Sequence, residues 1–437
     1  MFAERGRKVP PMLRRPCPPV EPPGILMPLM PPPRPRTRLR DGAPPRSRLR
    51  LRLSLVALLG ASCLGGLLHA PAAGAAAGGS GGEGERALRR QLEALVATPG
   101  GPPGAIVVLQ RGGAPRVVRA GVADLETGRP IEPTDHMRIA STAKAFSGAV
   151  ALRLVEEGVL RLDSTIGRTL PRLPRAWRSV TLGQLLNHTS GLPDYSEDPE
   201  FVALLQEDPR RTFDPRRLLD FVADEPLRFR PGSQYRYSNS DNIAVALMAE
   251  AATQWPYEHL LERIVYRPLG LRDTSLPLGY EMPEPYMHGY AVEPPAPPED
   301  VSEALSASGV WASGGIVSTP RDMTRFIRGY AAGRLTSKAV LREQRRWIEG
   351  ASEPAGPGRN RAGLGIFRYD TRCGTVLGHT GNFPGYTQLI AATPDGRKSL
   401  TVSLTTQVNR TLDPALLDRL RAFEENAVCT LLGGRRR

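Results

Sequence analysis

The sequence predicts an α/β (α+β) fold: an antiparallel sheet flanked by helices, built from both ends of the chain, with a mainly helical domain inserted between them. Three observations carry this. Ala105–Leu109 and Pro115–Arg119 flank Arg111-Gly112-Gly113, and Tyr386–Ala392 and Ser399–Thr405 flank Pro394-Asp395-Gly396, so each end supplies a β-hairpin. Leu88, Leu92 and Leu95 share one face of a helix over Arg86–Leu95, and a second amphipathic helix is expected from about Pro414 to Cys429. Between them, residues 141–330 read as helical segments joined by long Pro-rich loops. The folded part is therefore placed at 85–432, with its α/β portion at about 85–140 and 330–432 and its helical portion at about 141–330.

The residues ahead of this domain have a different character. The formal charge is +14 over 437 residues. The first 72 residues hold thirteen basic against three acidic side chains, which leaves roughly +4 for the rest. That is no polyanion-binding signal, and no nucleic-acid partner is expected. Residues 1–45 are rich in Pro and Arg without apolar periodicity and cannot build a core. They read as a disordered leader or a mispredicted start. Arg46, Arg48, Arg50 and Arg52 then precede an apolar run from Leu53 to Leu68, followed by Ala70-Pro71-Ala72. Charged, apolar, small is the order of a secretory signal peptide, placed at 46–72. The run is short for a bilayer span, so cleavage and a secreted or extracytoplasmic location are expected, with membrane contact only through an uncleaved signal. Cys63 lacks the upstream Leu of a lipoprotein site. Residues 73–84 read as an Ala/Gly linker. Its Gly78-Gly79-Ser80-Gly81-Gly82 is a literal G-x-S-x-G but has no strand before it and no helix after it to make a nucleophile elbow. Cleavage would leave Cys373 and Cys429, which in an oxidising compartment read as a disulfide, the alternative being two buried thiols.

The chemistry-bearing residues begin at the expected junction of the two portions. Ser141-Thr142-Ala143-Lys144 is the only S-x-x-K in the chain, and the chain has only four lysines. It opens a helical stretch through Glu157 that Gly158 stops. Residues three apart share a helix face, so Lys144 can reach the Ser141 hydroxyl. A helix start also leaves backbone N–H groups free and favours a developing oxyanion. Downstream, Arg230-Pro231-Gly232 turns into Tyr237-Ser238-Asn239. A Tyr beside a Lys can be held as phenolate and carry a proton, while Asn239 can donate to a substrate carbonyl and hold Lys144. Gly378-His379-Thr380-Gly381 precedes the C-terminal hairpin, where a strand edge can offer backbone groups with a hydroxyl and a cation beside them. His136, His259 and His288 show no metal spacing, and neither a metal nor a cofactor is expected.

Ser141-x-x-Lys144, Tyr237-x-Asn239 and His379-Thr380-Gly381 together resemble the three motifs of the class C β-lactamase and D-alanyl-D-alanine carboxypeptidase superfamily. Leu185–Leu192 (with His188 as a structural loop residue), Pro268-Leu269-Gly270-Leu271, Ser313-Gly314-Gly315 and Gly385-Tyr386 fit the same pattern, over about residues 88–432. The resemblance implies Ser141 as nucleophile, Lys144 and Tyr237 as its catalytic partners, and Asn239, His379, Thr380, Gly381 and Asn382 as substrate-binding residues. In this picture the Asn382 N–H completes an oxyanion hole with that of Ser141. The nearest likeness is to the secreted serine D-Ala-D-Ala carboxypeptidases, which also place His before Thr-Gly and carry a Cys pair like Cys373 and Cys429.

The resemblance implies a D-alanyl-D-alanine carboxypeptidase-like hydrolase acting on a small molecule or peptide, a peptidoglycan stem peptide or β-lactam among them, as a monomer. A β-lactamase or esterase of the same family, or a non-catalytic penicillin-binding sensor, is the alternative. Two features complicate it. Ser240-Asp241-Asn242 is a literal S-D-N, the second motif of class A β-lactamases, but it abuts Tyr237-Ser238-Asn239 and is expected to be the capped first turn of a helix. In those carboxypeptidases an Arg after the Gly-x-Gly strand start receives the substrate's carboxylate. Here Phe367 takes that place after Gly363-Leu364-Gly365, and Arg368 should point to the opposite face.

Overall fold

The computed structural model describes residues 81–434. The leader, the signal segment, Cys63 and most of the linker lie outside them. The chain builds one eight-stranded sheet. Its strands, numbered along the chain, are β1 (Gly104–Gln110), β2 (Arg116–Gly121), β3 (Ile348–Glu349), β4 (Arg359–Ala362), β5 (Phe367–Thr371), β6 (Gly374–Phe383), β7 (Tyr386–Ala392) and β8 (Ser399–Leu404). They lie in the order β2-β1-β8-β7-β6-β5-β4-β3, each neighbouring pair antiparallel. The first hairpin thus docks on the last strand, with Ala105 opposite Leu404 and Gln110 opposite Ser399.

Both faces of this sheet are buried, and the strand alternation divides its side chains between two cores. Ala105, Val107 and Leu109 pack with Leu400, Val402 and Leu404 under two helices, α1 (Gly81–Val96) and α5 (Pro414–Leu432). The intervening Ile106 and Val108 enter a larger core that contains the helical portion. α1 takes in the last four residues of the expected linker, Gly81–Gly84, as its first turn, so a helix does follow Ser80 where none was expected. α5 starts under a side-chain cap, Asp413 accepting from the Leu416 N–H, with Pro414 at its first position. Cys429 on α5 is bonded to Cys373 in the β5–β6 turn.

The larger core is centred on α2 (Ala143–Glu156), where eleven residues are buried. A helix apolar all round sits in the middle of a fold rather than on its surface. Its Ala- and Gly-rich sequence lets neighbours come close: a Cβ on Gly148 would lie 2.9 Å from the Gly365 Cα. Around it pack α3 (Asn239–Thr253) and α4 (Pro320–Ala331), the latter also covering the sheet. The chain enters α2 through a 3₁₀ turn, Ala140–Thr142, rather than directly in α-helix as the sequence suggests.

Candidate active site

Ser141 sits in that 3₁₀ turn, at the seam between sheet and helical portion. Ala140, just before it, has φ +50°, a left-handed conformation unusual for a residue with a side chain. The turn presses against β6. A Cβ on Gly381 would come within 2.5 Å of the Ile139 carbonyl and 3.2 Å of the Ser141 nitrogen, so only glycine fits there. Beyond Gly378, β6 pairs with β7 alone, because β5 ends its pairing at Phe367 opposite Gly378. The other edge of His379–Phe383 therefore faces the seam.

Lys144 is one turn on and 1 % exposed. Its Nζ donates to Ser141 Oγ at 3.1 Å, to Asn239 Oδ1 at 2.7 Å and to the Ser313 carbonyl at 2.9 Å. Burial lowers its pKa to about 7, against the opposing pull of Asp194, Glu353 and Asp241. Asn239, the first residue of α3, is fixed in turn: its N–H donates to Asp194 Oδ2 at 2.7 Å and its Nδ2 to Ser196 Oγ at 2.9 Å. Ser141 itself keeps partial exposure to solvent. A nucleophile open to a ligand beside a buried, half-neutral amine is an arrangement suited to proton abstraction from the hydroxyl.

Tyr237 is buried, with the Lys144 Nζ 4.9 Å from its ring centroid. The phenolate expected at this position is not what the surroundings favour. Burial raises the Tyr237 pKa well above the usual range; the Ser141 hydroxyl nearby pulls the other way without reversing it. The Tyr237 hydroxyl is buried, with Ser141 as its neighbour but no partner in full hydrogen-bond geometry. Burial thus favours the neutral phenol, which leaves Lys144 as the better-placed base. Behind it the His188 ring lies 4.5 Å away, and His188 Nδ1 meets Asp241 Oδ2 at 2.8 Å. Ser190 donates to the other Asp241 oxygen. Burial lowers the His188 pKa and pushes that of Asp241 well up, disfavouring the charged form of each under the phenol.

The S-D-N residues lie in the first turn of α3, as expected, but do not cap it. Its N-cap is Ser238, without a side-chain bond. Ser240 Oγ accepts from the Tyr195 N–H at 2.9 Å, Asp241 holds His188, and Asn242 Nδ2 donates to Ser147 Oγ at 2.6 Å. All three face inward to neighbouring segments.

On the sheet side, His379 is 1 % exposed and sits edge-on to Phe367 at 5.0 Å. Burial drives its pKa to about 3, which disfavours the cation expected beside Thr380. Thr380 Oγ1 donates to the Pro354 carbonyl at 2.5 Å. The Asn382 side chain turns to the Val408 carbonyl, which leaves its backbone as the group available to a substrate. Phe367 is 2 % exposed, whereas Arg368 projects from the other face of β5 and is tied to Asp370 at 2.8 Å.

Asp194, the Ser313 carbonyl and His188 as a packing partner of Tyr237 complete the site without having been singled out for these roles. For Asp194 the only local signal is its turn chemistry, since it also accepts from the Ser196 N–H at 3.0 Å. Among the described residues no group of three or more His, Cys, Asp or Glu side chains could hold a metal ion.

An antiparallel sheet against a helical portion, with a Ser–Lys pair at the head of the central helix, is the architecture of penicillin-recognising serine hydrolases. The chain belongs to the β-lactamase family, whose model matches residues 88–425. It is 26 % identical over 302 residues to penicillin-binding protein 4* of Bacillus subtilis, covering 64 % of this chain and 63 % of that one. It is 33 % identical over 215 residues to esterase EstB of Burkholderia gladioli, covering 44 % and 55 %. The chain thus spans between about half and two thirds of the length of these curated relatives. Two solved structures are matched nearly whole. A D-stereospecific amidohydrolase from Streptomyces sp. shows 31 % identity and a TM-score of 0.66, over 74 % of this chain and 94 % of that one. The D-amino acid amidase of Ochrobactrum anthropi SV3, complexed with L-phenylalanine amide, shows 25 % identity and a TM-score of 0.69, over 79 % and 99 %.

Proposed function

We propose that the chain is an exported serine hydrolase that cleaves amide or ester bonds next to a D-configured residue through an acyl-enzyme at Ser141. The observation that carries this is the 3.1 Å contact from Lys144 Nζ to Ser141 Oγ, in a site where burial holds the amine near neutrality. Esterase EstB and the two amidohydrolase structures, one D-stereospecific and one a D-amino acid amidase, support the substrate class.

The residues divide the work as follows. Neutral Lys144 takes the Ser141 proton as Oγ attacks the substrate carbonyl carbon. The backbone N–H groups of Ser141 and Asn382 receive the oxyanion. Tyr237, a phenol with an unengaged O–H, gives its proton to the departing nitrogen or oxygen and regains one from the Lys144 ammonium. The bond to the leaving group breaks and the acyl-enzyme remains. Water then attacks the ester, losing its proton to Lys144, and Ser141 departs reprotonated. Asn239 holds Lys144 at its oxygen while its N–H₂ group faces Ser196.

Free-acid carboxypeptidase activity is the less favoured form of this chemistry, because Arg368 is turned away and the Thr380 hydroxyl already serves Pro354. Intact-mass measurement after incubation with a penicillin or an activated ester tests the reading. One adduct is expected, absent in Ser141→Ala; an adduct on another residue would sink it.

A further inference from the structure

Glu353 is a carboxylate at the site that the chemistry above leaves unused. It sits in a strap pinned on both sides. Tyr235 Oη donates to the Ala351 carbonyl at 2.5 Å, Ser352 Oγ meets Tyr369 Oη at 2.9 Å, and Thr380 Oγ1 donates to the Pro354 carbonyl at 2.5 Å. The backbone on either side of Glu353 is therefore fixed to the walls of the site, while its side chain is open to water. Among the described residues it makes no hydrogen bond or ion pair.

The charged groups whose fields reach Glu353 are Asp194, Lys144, Glu197 and Arg236, which surround the Ser–Lys pair. Two of the acids are already answered. Glu197 pairs with Arg236 at 3.2 Å, and Asp194 accepts from the Asn239 N–H and from Ser196. The cations set against Glu353 are Lys144, half neutral near pH 7, and Arg236, already paired with Glu197. Glu353, open to water on one side and walled by protein on the others, has its own pKa raised to about 7 by this desolvation, with Asp194 adding to it. A cation arriving beside it would favour the ionised form. Independently, the Tyr237 hydroxyl, buried and unpartnered, marks the same cleft as built for a polar ligand.

We propose that Glu353 is a specificity-determining residue that receives a positively charged amino group of the substrate, so that the enzyme takes aminoacyl amides and esters with a free amino terminus. This rests on the Ser141 hydrolase reading and adds a substrate class to it. The strap repels a substrate carboxylate by the same means that it attracts an ammonium.

The test compares kcat/KM for D-alanine p-nitroanilide and its N-acetyl derivative at pH 7, where an α-amino group is largely protonated. The wild type should favour the free amine about tenfold or more, Glu353→Gln should bring the ratio toward one, and Glu353→Lys should invert it. Preference of the wild type for the N-acetyl compound, or a ratio that Glu353→Gln leaves intact, overturns the inference while the hydrolase reading stands. Turnover of neither compound together with no covalent adduct at Ser141 overturns both.

Discussion

Lys144 Nζ lies closer to Asn239 Oδ1, at 2.7 Å, than to Ser141 Oγ, at 3.1 Å. The amine is therefore held from the helical side and presented to the hydroxyl. With a third bond to the Ser313 carbonyl, its position does not depend on substrate.

The pH dependence follows from this amine. Its pKa stands at about 7, lowered chiefly by burial, and it must be neutral to accept a proton. kcat/KM for an uncharged substrate should therefore rise as pH passes upward through about 7 and level off above it. Glu353 titrates in the same window, so the profile is best taken in Glu353→Gln as well. A rising limb that vanishes in that variant would assign it to Glu353 rather than to Lys144.

Tyr237→Phe removes the proton carrier and leaves the ring. Turnover should fall by about 10²–10⁴-fold, the range for loss of a general acid or base. Ser240→Ala should act differently. It leaves the Tyr195 N–H without its acceptor, which costs about 1–3 kcal/mol of stability, with kcat/KM changed less than about threefold at temperatures where the variant is folded. The reverse ranking in steady-state assays would move the chemistry to the S-D-N residues.

Joining Cys373 to Cys429 closes a separation of 56 residues and ties α5 to the β5–β6 turn. Thiol counting on the unfolded, non-reduced protein purified from an oxidising compartment should find neither cysteine of this pair free. Replacing both by Ala should lower stability by about 2–4 kcal/mol in denaturant titrations and leave the pH profile of catalysis unchanged. Two reactive thiols would refute the pairing.

For acyl-D-Ala-D-Ala against its C-terminal amide, little difference or preference for the amide is expected. A free-acid preference of tenfold or more, about 1.4 kcal/mol, would restore the carboxypeptidase reading. Phe367→Arg is a poor instrument for this question. Phe367 is 2 % exposed and packed on His379, so a guanidinium there tests burial of a charge instead.

The sheet and its flanking helices are legible in the sequence because the unbroken apolar run Ala105–Leu109 and the spacing of Leu88, Leu92 and Leu95 are local records of burial. The Ser141, Lys144, Tyr237 and Asn239 positions are legible for a similar reason, each carried in a short motif. What the motifs do not record is the dielectric around them. Tyr237 reads as a phenolate next to Lys144 until its burial is known, and His379 reads as a cation until it is seen 1 % exposed. Glu353 has no local signature. It joins the site because Thr380, 27 positions away, bonds the residue after it, and Tyr235 and Tyr369 hold the two residues before it.

Gly381 presses on the 3₁₀ turn of Ser141 from the sheet, while Lys144, Tyr237 and Asn239 come from the helical portion. Catalysis thus depends on groups from the sheet and from the helical portion, which share one core, remaining in register to within about an ångström, a tolerance far finer than that core needs to stay folded. Turnover is accordingly a strain gauge across that boundary. In mild urea it should fade at concentrations where the far-ultraviolet circular dichroism is still native.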